Sequence, residues 1–307
     1  MTSGNRKPVK KSPVAHPRAT WIDPTTGKTL LFQSLMQEMA NKSVVMLGET
    51  HDIAEVHRWQ LHVSASIYAL RPNMMMGFEM FPRRLQPVLD EWVDGKLDTK
   101  TFLEKSEWLG VWGFPAELYL PLFHFCRQNK IRMLALNCYR ELVTRVGKQG
   151  WDAIPEAERD GLTPAAPPTE AYHERLAGYR KHDPSASSQS MPAHDRDRFM
   201  RAMQTWDRAF ACNIVHALNE IPEGDPKPVV IGIIGRGHLE YGQGTPYQLA
   251  DLGMTDTAVL LTSDEDQWQP EPSRKMADAV FRIDMPEPRA VRIAMPKNKE
   301  SQKTQNE

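Results

Sequence analysis

The feature of this chain that most constrains its fold is an alternation. Five short, nearly continuous apolar runs, at residues 43–48, 74–78, 131–136, 229–234 and 257–262, are separated by longer amphipathic stretches. A strand with one wet face alternates apolar and polar residues, whereas a strand covered on both faces is apolar throughout. The runs therefore predict an α/β fold of three layers, a mostly parallel central sheet flanked by helices. Residues 279–283 and 290–295 are expected to form a late antiparallel pair.

Between the first two runs, Val56, Trp59, Val63, Ile67 and Leu70 recur at helical spacing and stop before Pro72, which predicts a helix with one core-facing stripe. Phe199, Met203, Trp206, Phe210, Ile214 and Leu218 predict a second, longer helix. Met74, Met75 and Met76 are adjacent, so on a strand they point to opposite faces and fill the core instead of gathering a soft metal. From 151 to 197 the periodicity weakens and Pro, Ala and Ser accumulate, which marks a Pro/Ser-rich helical insertion or lid with one helix near 169–181. Residues 1–19 read as a disordered basic arm, 20–295 as one domain, and 296–307 as a polar tail.

Lys+Arg 38 against Asp+Glu 39 leaves a net charge of −1, so no basic field exists to hold nucleic acid. The three cysteines, Cys126, Cys138 and Cys212, are too scattered for a thiolate zinc site or a disulfide framework. No run is long enough to span a bilayer. The first residues lack the apolar core of a signal peptide and an early lipid-bearing cysteine, so the expected location as written is cytoplasmic, or membrane-associated or periplasmic if the start is mis-assigned.

In an open α/β sheet the ligand crevice lies beyond the carboxyl ends of the strands. The first run is followed by Glu49, His51 and His57; the second by Glu79; the third by Asn137 and Arg140; the fourth by Gly235-Arg236-Gly237-His238. If the strands are neighbours, Glu49, His51, Glu79 and His238 converge, two carboxylates and two imidazoles that suit a divalent metal ion or general acid–base catalysis. Gln204 and Asp207 share a face of the long helix and are candidate supporting residues beside Asn137. The glycines around His238 do not run directly into a helix as a dinucleotide fingerprint requires. A Gly-x-Ser-x-Gly elbow is absent.

Taken together, Gly48-Glu49-Thr50-His51-Asp52 with His57 and Gln60, Gly77-Phe78-Glu79-Met80-Phe81, Ala135-Leu136-Asn137 with Arg140, Gln204-x-x-Asp207, and Gly235-Arg236-Gly237-His238 followed by Gly244-Thr245-Pro246 resemble the ChaN-like haem-binding family. That family lies within the wider Tiki and erythromycin-esterase superfamily. The resemblance implies haem as cofactor, a role in haem or iron uptake, haem held between two protomers of a homodimer, and iron ligated by tyrosine. Tyr119, Tyr139 and Tyr241 lie near strand ends, and Tyr241, in the loop after His238, is the preferred ligand. Under this reading Tyr241, His51, His57, His238 and Arg140 bind the cofactor. The wider superfamily implies an alternative, a metal-dependent hydrolase, protease or esterase, using the paired Gly-x-x-His motifs with Glu49 and Glu79.

Overall fold

The structure is a computed structural model describing residues 13–179, 193–284, 290, 291 and 293. Its strands are β1 (Val14–Ala15), β2 (Trp21–Ile22), β3 (Thr29–Leu30), β4 (Val44–Glu49), β5 (Met74–Pro82), β6 (Arg132–Asn137), β7 (Val229–Gly235), β8 (Thr257–Ser263), β9 (Gln267–Trp268) and β10 (Ala279–Arg282). Its helices are α1 (Phe32–Ala40), α2 (Ala54–Leu70), α3 (Gln86–Val93), α4 (Thr99–Lys105), α5 (Trp108–Val111), α6 (Leu120–Asn129), α7 (Arg140–Gln149), α8 (Glu170–Tyr179), α9 (Ala193–Asn219) and α10 (Thr245–Asp251). All five apolar runs are strands of one eight-stranded sheet, in the order β3-β2-β10-β8-β4-β7-β5-β6. From β10 to β6 the pairing is parallel, and β2 and β3 add an antiparallel edge.

Adjacent strand residues divide between two cores, which is why the runs are apolar throughout. Val45, Leu47, Met74, Met76, Phe78, Ile231 and Ile233 pack with the stripes of α1, α2, α3 and α6. Val44, Met46, Met75, Val230 and Ile234 pack with α7, α9 and α10 on the other side. Thus Met74 and Met76 face one core and Met75 the other, as alternation on a strand requires.

The helices segregate because the chain reverses direction across the sheet. It runs outward from β4 through β5 to β6, then returns to β7, between β4 and β5, and crosses to β8. Crossovers of fixed hand place the outgoing helices on one face and the returning ones on the other. The reversal makes a switch point where β4 and β7 lie side by side, with Glu49 opposite Gly235. β5 leaves register with β6 between Phe78 and Pro82, the stretch that carries Glu79.

Two expectations change. Residues 279–282 do not pair with the described residues of the second run, 290, 291 and 293. They add in parallel to β8 and antiparallel to β2, since an open sheet edge offers more backbone partners than a short hairpin. The backbone N–H groups of Ala290 and Ile293 instead donate to Asp52 and Gly113 carbonyls, at 3.0 and 2.8 Å, and 294 and 295 lie outside the described residues. The described end of the basic arm is also ordered, with Val14–Ala15 pairing with Gln267–Trp268. Residues 1–12 and the tail at 296–307 lie outside the described residues.

The first part of the insertion is tied down by polar side chains. Ala166 donates its N–H to Gln248 Oε1 at 2.9 Å, and its carbonyl accepts from Gln204 Nε2 at 3.0 Å and Gln248 Nε2 at 3.1 Å. The helix expected near 169–181 is α8, and 180–192 lie outside the described residues. Cys126 and Cys138 are buried and Cys212 is partly exposed, and burial pushes the Cys138 thiol up to about 12.

Candidate functional site

The end of β4 supplies Glu49, and the turn into α2 supplies His51. The Glu49 carboxylate is buried, at 1% exposure. Its Oε1 lies 2.7 Å from His51 Nδ1 and accepts the Tyr119 hydroxyl at 2.9 Å, while Oε2 accepts Gln60 Nε2 at 3.3 Å. Burial alone would push this carboxyl up, but the His51 hydrogen bond, the charges of His57 and His51, and the Tyr119 hydroxyl hold it below the ordinary glutamate range.

Glu79 approaches from β5, also buried, with Oε1 3.6 Å from His51 Nδ1 and Oε2 accepting the Gly235 N–H at 2.9 Å. Here burial wins, with the like charge of Glu49 adding to it, and the carboxyl is pushed up despite His51 and His238. Gly235 is needed for contact. A Cβ there would sit 2.9 Å from His51 Cε1 and 3.3 Å from Glu79 Oε1. His51 is the exposed member, with 36% of its side chain accessible. Trp112 meets it edge-on at 4.8 Å, and Phe114 lies at 5.4 Å.

His238 builds a second centre. Its Nδ1 lies 2.8 Å from Asp207 Oδ1, and Asp207 is fully buried, accepting Tyr172 from α8 at 2.5 Å and Thr245 at 3.1 Å. Burial disfavours the imidazolium, but the Asp207 charge and hydrogen bond outweigh it, helped by Glu79, so His238 is raised. Gly244 lets the chain pass, since a Cβ there would lie 2.2 Å from the His238 carbonyl oxygen.

Glu49, His51 and Glu79 each offer a ligand atom within 4.8 Å of the others. His238 stands beside this trio, engaged with Asp207, and acts on Glu79 through its charge. His57 is 3% exposed, its Nδ1 3.0 Å from Gln60 Oε1 and its Nε2 3.1 Å from the His51 carbonyl. It braces the β4 turn. Asn137 Nδ2 donates to the Glu79 carbonyl at 2.7 Å. Gln204 braces the insertion, Asp207 braces His238, and Arg140 is exposed at the start of α7. Tyr241 takes a left-handed backbone, φ +61°, with the Arg274 guanidinium 3.9 Å over its ring.

Sequence reading named Tyr119 among the tyrosines near strand ends, as a possible iron ligand and not as a partner of Glu49, and did not single out Tyr172, Trp112 or Phe114 for this site. Those three lie on connections far from the strand ends in sequence, and only packing brings them in.

An open α/β sheet whose strand-end switch point carries imidazoles held by buried carboxylates is the class this fold and site define. The chain belongs to the family described as haem-binding uptake, Tiki superfamily, ChaN, whose model matches residues 35–249. Among solved structures it is similar to ChaN of Campylobacter jejuni, described for cofacial haem binding, at 18% identity and a TM-score of 0.67, covering 86% of this chain and 96% of that one. It is also similar to an erythromycin esterase, at 12% identity and a TM-score of 0.46 over 79% and 76% of the two chains. A curated relative, the chloroplastic protein RETICULATA-RELATED 5 of Arabidopsis thaliana, is 23% identical over 221 residues, 67% of this chain. The chain spans 28% of that relative's length. Among the described residues no helix is long and apolar enough to cross a membrane.

Proposed function

We propose that the chain binds haem and serves in haem or iron handling, with the porphyrin against the strand-end face and His51 reaching the iron. The observation that carries this reading is the setting of His51. It is a partly exposed imidazole, held at Nδ1 by Glu49 at 2.7 Å and set against the adjoining Trp112 and Phe114 rings. A carboxylate on one ring nitrogen fixes the imidazole and raises the basicity of the other as a ligand. Aromatic rings give a porphyrin face something flat to pack on. The tyrosines fit the iron less well. Tyr119 is buried on Glu49, and the Tyr241 ring is covered by the Arg274 guanidinium at 3.9 Å. When bound, haem supplies the iron; the protein's part is to hold it and orient His51.

A hemin titration followed by visible absorption tests this. The expected result is a saturable Soret band at about one haem per chain, shifted or lost in His51→Ala and kept in Tyr241→Phe and His238→Ala. A featureless, non-saturating response in the unmodified protein defeats the reading. Band loss in Tyr241→Phe instead would return the iron to the tyrosine.

The donor atoms of Glu49, His51 and Glu79 also support a second reading, a divalent ion whose bound water attacks an ester or amide. It expects stoichiometric uptake of zinc or manganese by calorimetry, abolished in Glu49→Gln, together with chelator-sensitive hydrolysis.

A further inference from the structure

Next to His238 lies a cluster of one carboxylate and two guanidinium groups. Glu240, with 9% of its side chain exposed, accepts Arg236 Nε at 2.6 Å on Oε1 and Arg175 Nη1 at 3.3 Å on Oε2. Arg175, 7% exposed, belongs to the framework. Its Nε donates to Gln243 Oε1 at 2.8 Å, its Nη2 donates to the Gly237 carbonyl at 3.0 Å, and its guanidinium lies 5.2 Å over the Tyr172 ring.

Arg236 is placed differently. It follows Gly235, whose backbone is packed against His51 and Glu79, and its own Cα lies over Gly48 at the end of β4. Its side chain is 31% exposed at the same strand-end face that presents His51, and its Nη1 donates to the Thr262 carbonyl, on β8, at 3.4 Å. The face is therefore two-sided. Buried carboxylates stand behind His51, and a permanent cation with a planar fork stands one residue from Gly235.

We propose that Arg236 is the anion-recognising residue of this site and binds the propionate carboxylates of the porphyrin. The proposal rests on the haem reading above. Ferric haem has a cationic centre and an anionic edge, the same order of charge that the site complements. A guanidinium fork pairs with a carboxylate through charge-assisted N–H···O bonds, and Glu240 on Nε together with the Thr262 carbonyl on Nη1 orients that fork. A charge-assisted contact of this kind is worth about tenfold to a hundredfold in affinity.

The test is a titration of hemin and of hemin dimethyl ester, which keeps the iron and the ring but masks both propionates, into the unmodified chain, Arg236→Gln and Arg236→Lys. The unmodified chain is expected to prefer hemin by about tenfold to a hundredfold. Arg236→Gln is expected to lose that preference while its affinity for the ester stays unchanged, and Arg236→Lys to keep part of it. Equal binding of hemin and ester by the unmodified chain, or unchanged hemin binding by Arg236→Gln, overturns the proposal and leaves the haem reading standing. A parallel loss of both ligands in Arg236→Gln makes the residue structural and overturns it as well. Failure of the unmodified chain to bind either ligand removes the haem reading and this proposal together.

Discussion

Glu49 and Glu79 share one imidazole: His51 Nδ1 lies 2.7 Å from the first carboxylate and 3.6 Å from the second, and both are buried. The two are unequal because Glu49 collects hydrogen bonds from His51, Tyr119 and Gln60, whereas Glu79 receives one backbone N–H.

That inequality gives Glu79 a pH signature. Its carboxyl is raised, chiefly by burial, so the folded state holds the proton more tightly than the unfolded chain does. The stabilisation is complete below the ordinary glutamate range and is lost as pH rises through the raised folded value. Glu79→Gln cannot ionise and still accepts the Gly235 N–H. It is expected to exceed the unmodified protein in stability by about 1–3 kcal/mol at pH 8 and to match it near pH 4. Urea melts at both values check this, and a pH-independent difference counts against it.

Gly235 and Gly244 make different demands. At Gly235 an added methyl meets the His51 ring and the Glu79 carboxylate, both side chains, so Gly235→Ala is expected to cost about 1–2 kcal/mol while displacing His51 and weakening hemin binding. At Gly244 the obstacle is the His238 carbonyl at 2.2 Å, which is backbone. Gly244→Ala is expected to cost about 3 kcal/mol or more. Thermal melts paired with hemin titration separate the two, and equal losses would show that the contacts do not matter.

Asp207 has three partners, His238, Tyr172 and Thr245. Because the folded state raises His238 through Asp207, the pair stabilises fully below the ordinary histidine range and loses that contribution as pH rises through the raised value. Asp207→Asn is expected to lose about 3 kcal/mol at pH 5.5 and distinctly less at pH 9. Guanidinium melts at the two values measure it. The same loss at both would mean that His238 is not the partner that matters.

One edge of the sheet is β6, and Gln86 occupies it as a neighbouring strand would. Its Oε1 accepts the Ala135 N–H at 2.9 Å, and its Nε2 donates to the Met133 carbonyl at 2.7 Å. Asn213 Nδ2 donates to the Leu136 carbonyl at 2.8 Å further along. Gln86→Ala is expected to cost about 1–2 kcal/mol and to expose an edge that pairs with a second chain. Concentration-dependent light scattering reads the second effect, and a monodisperse variant would deny it.

Much of this architecture is legible in the chain. Runs such as 43–48 and 229–234 are apolar at every position because both sheet faces are covered, and that is a local signal. Glu49, His51, Glu79 and His238 could be found because strand-end residues of a parallel sheet collect at one face. Trp112, Phe114 and Tyr172 carry no comparable mark, and Tyr119 is legible only as one tyrosine among three, since an aromatic residue on a connection reads the same whether it fills a core or lines a site. Residues 279–283 misled because a short apolar run does not say which edge it will join.

The sequence by itself determined the parallel α/β sheet, the two helix stripes and the identity of the strand-end acids and imidazoles, because periodicity and chain order are local properties. Only the tertiary structure decided which carboxylate sits low and which high, that His51 is presented while His57 is enclosed, and that α8 reaches Asp207. Those depend on distances of about 3 Å between residues far apart in the chain, and hydrogen bonding and burial act at that range.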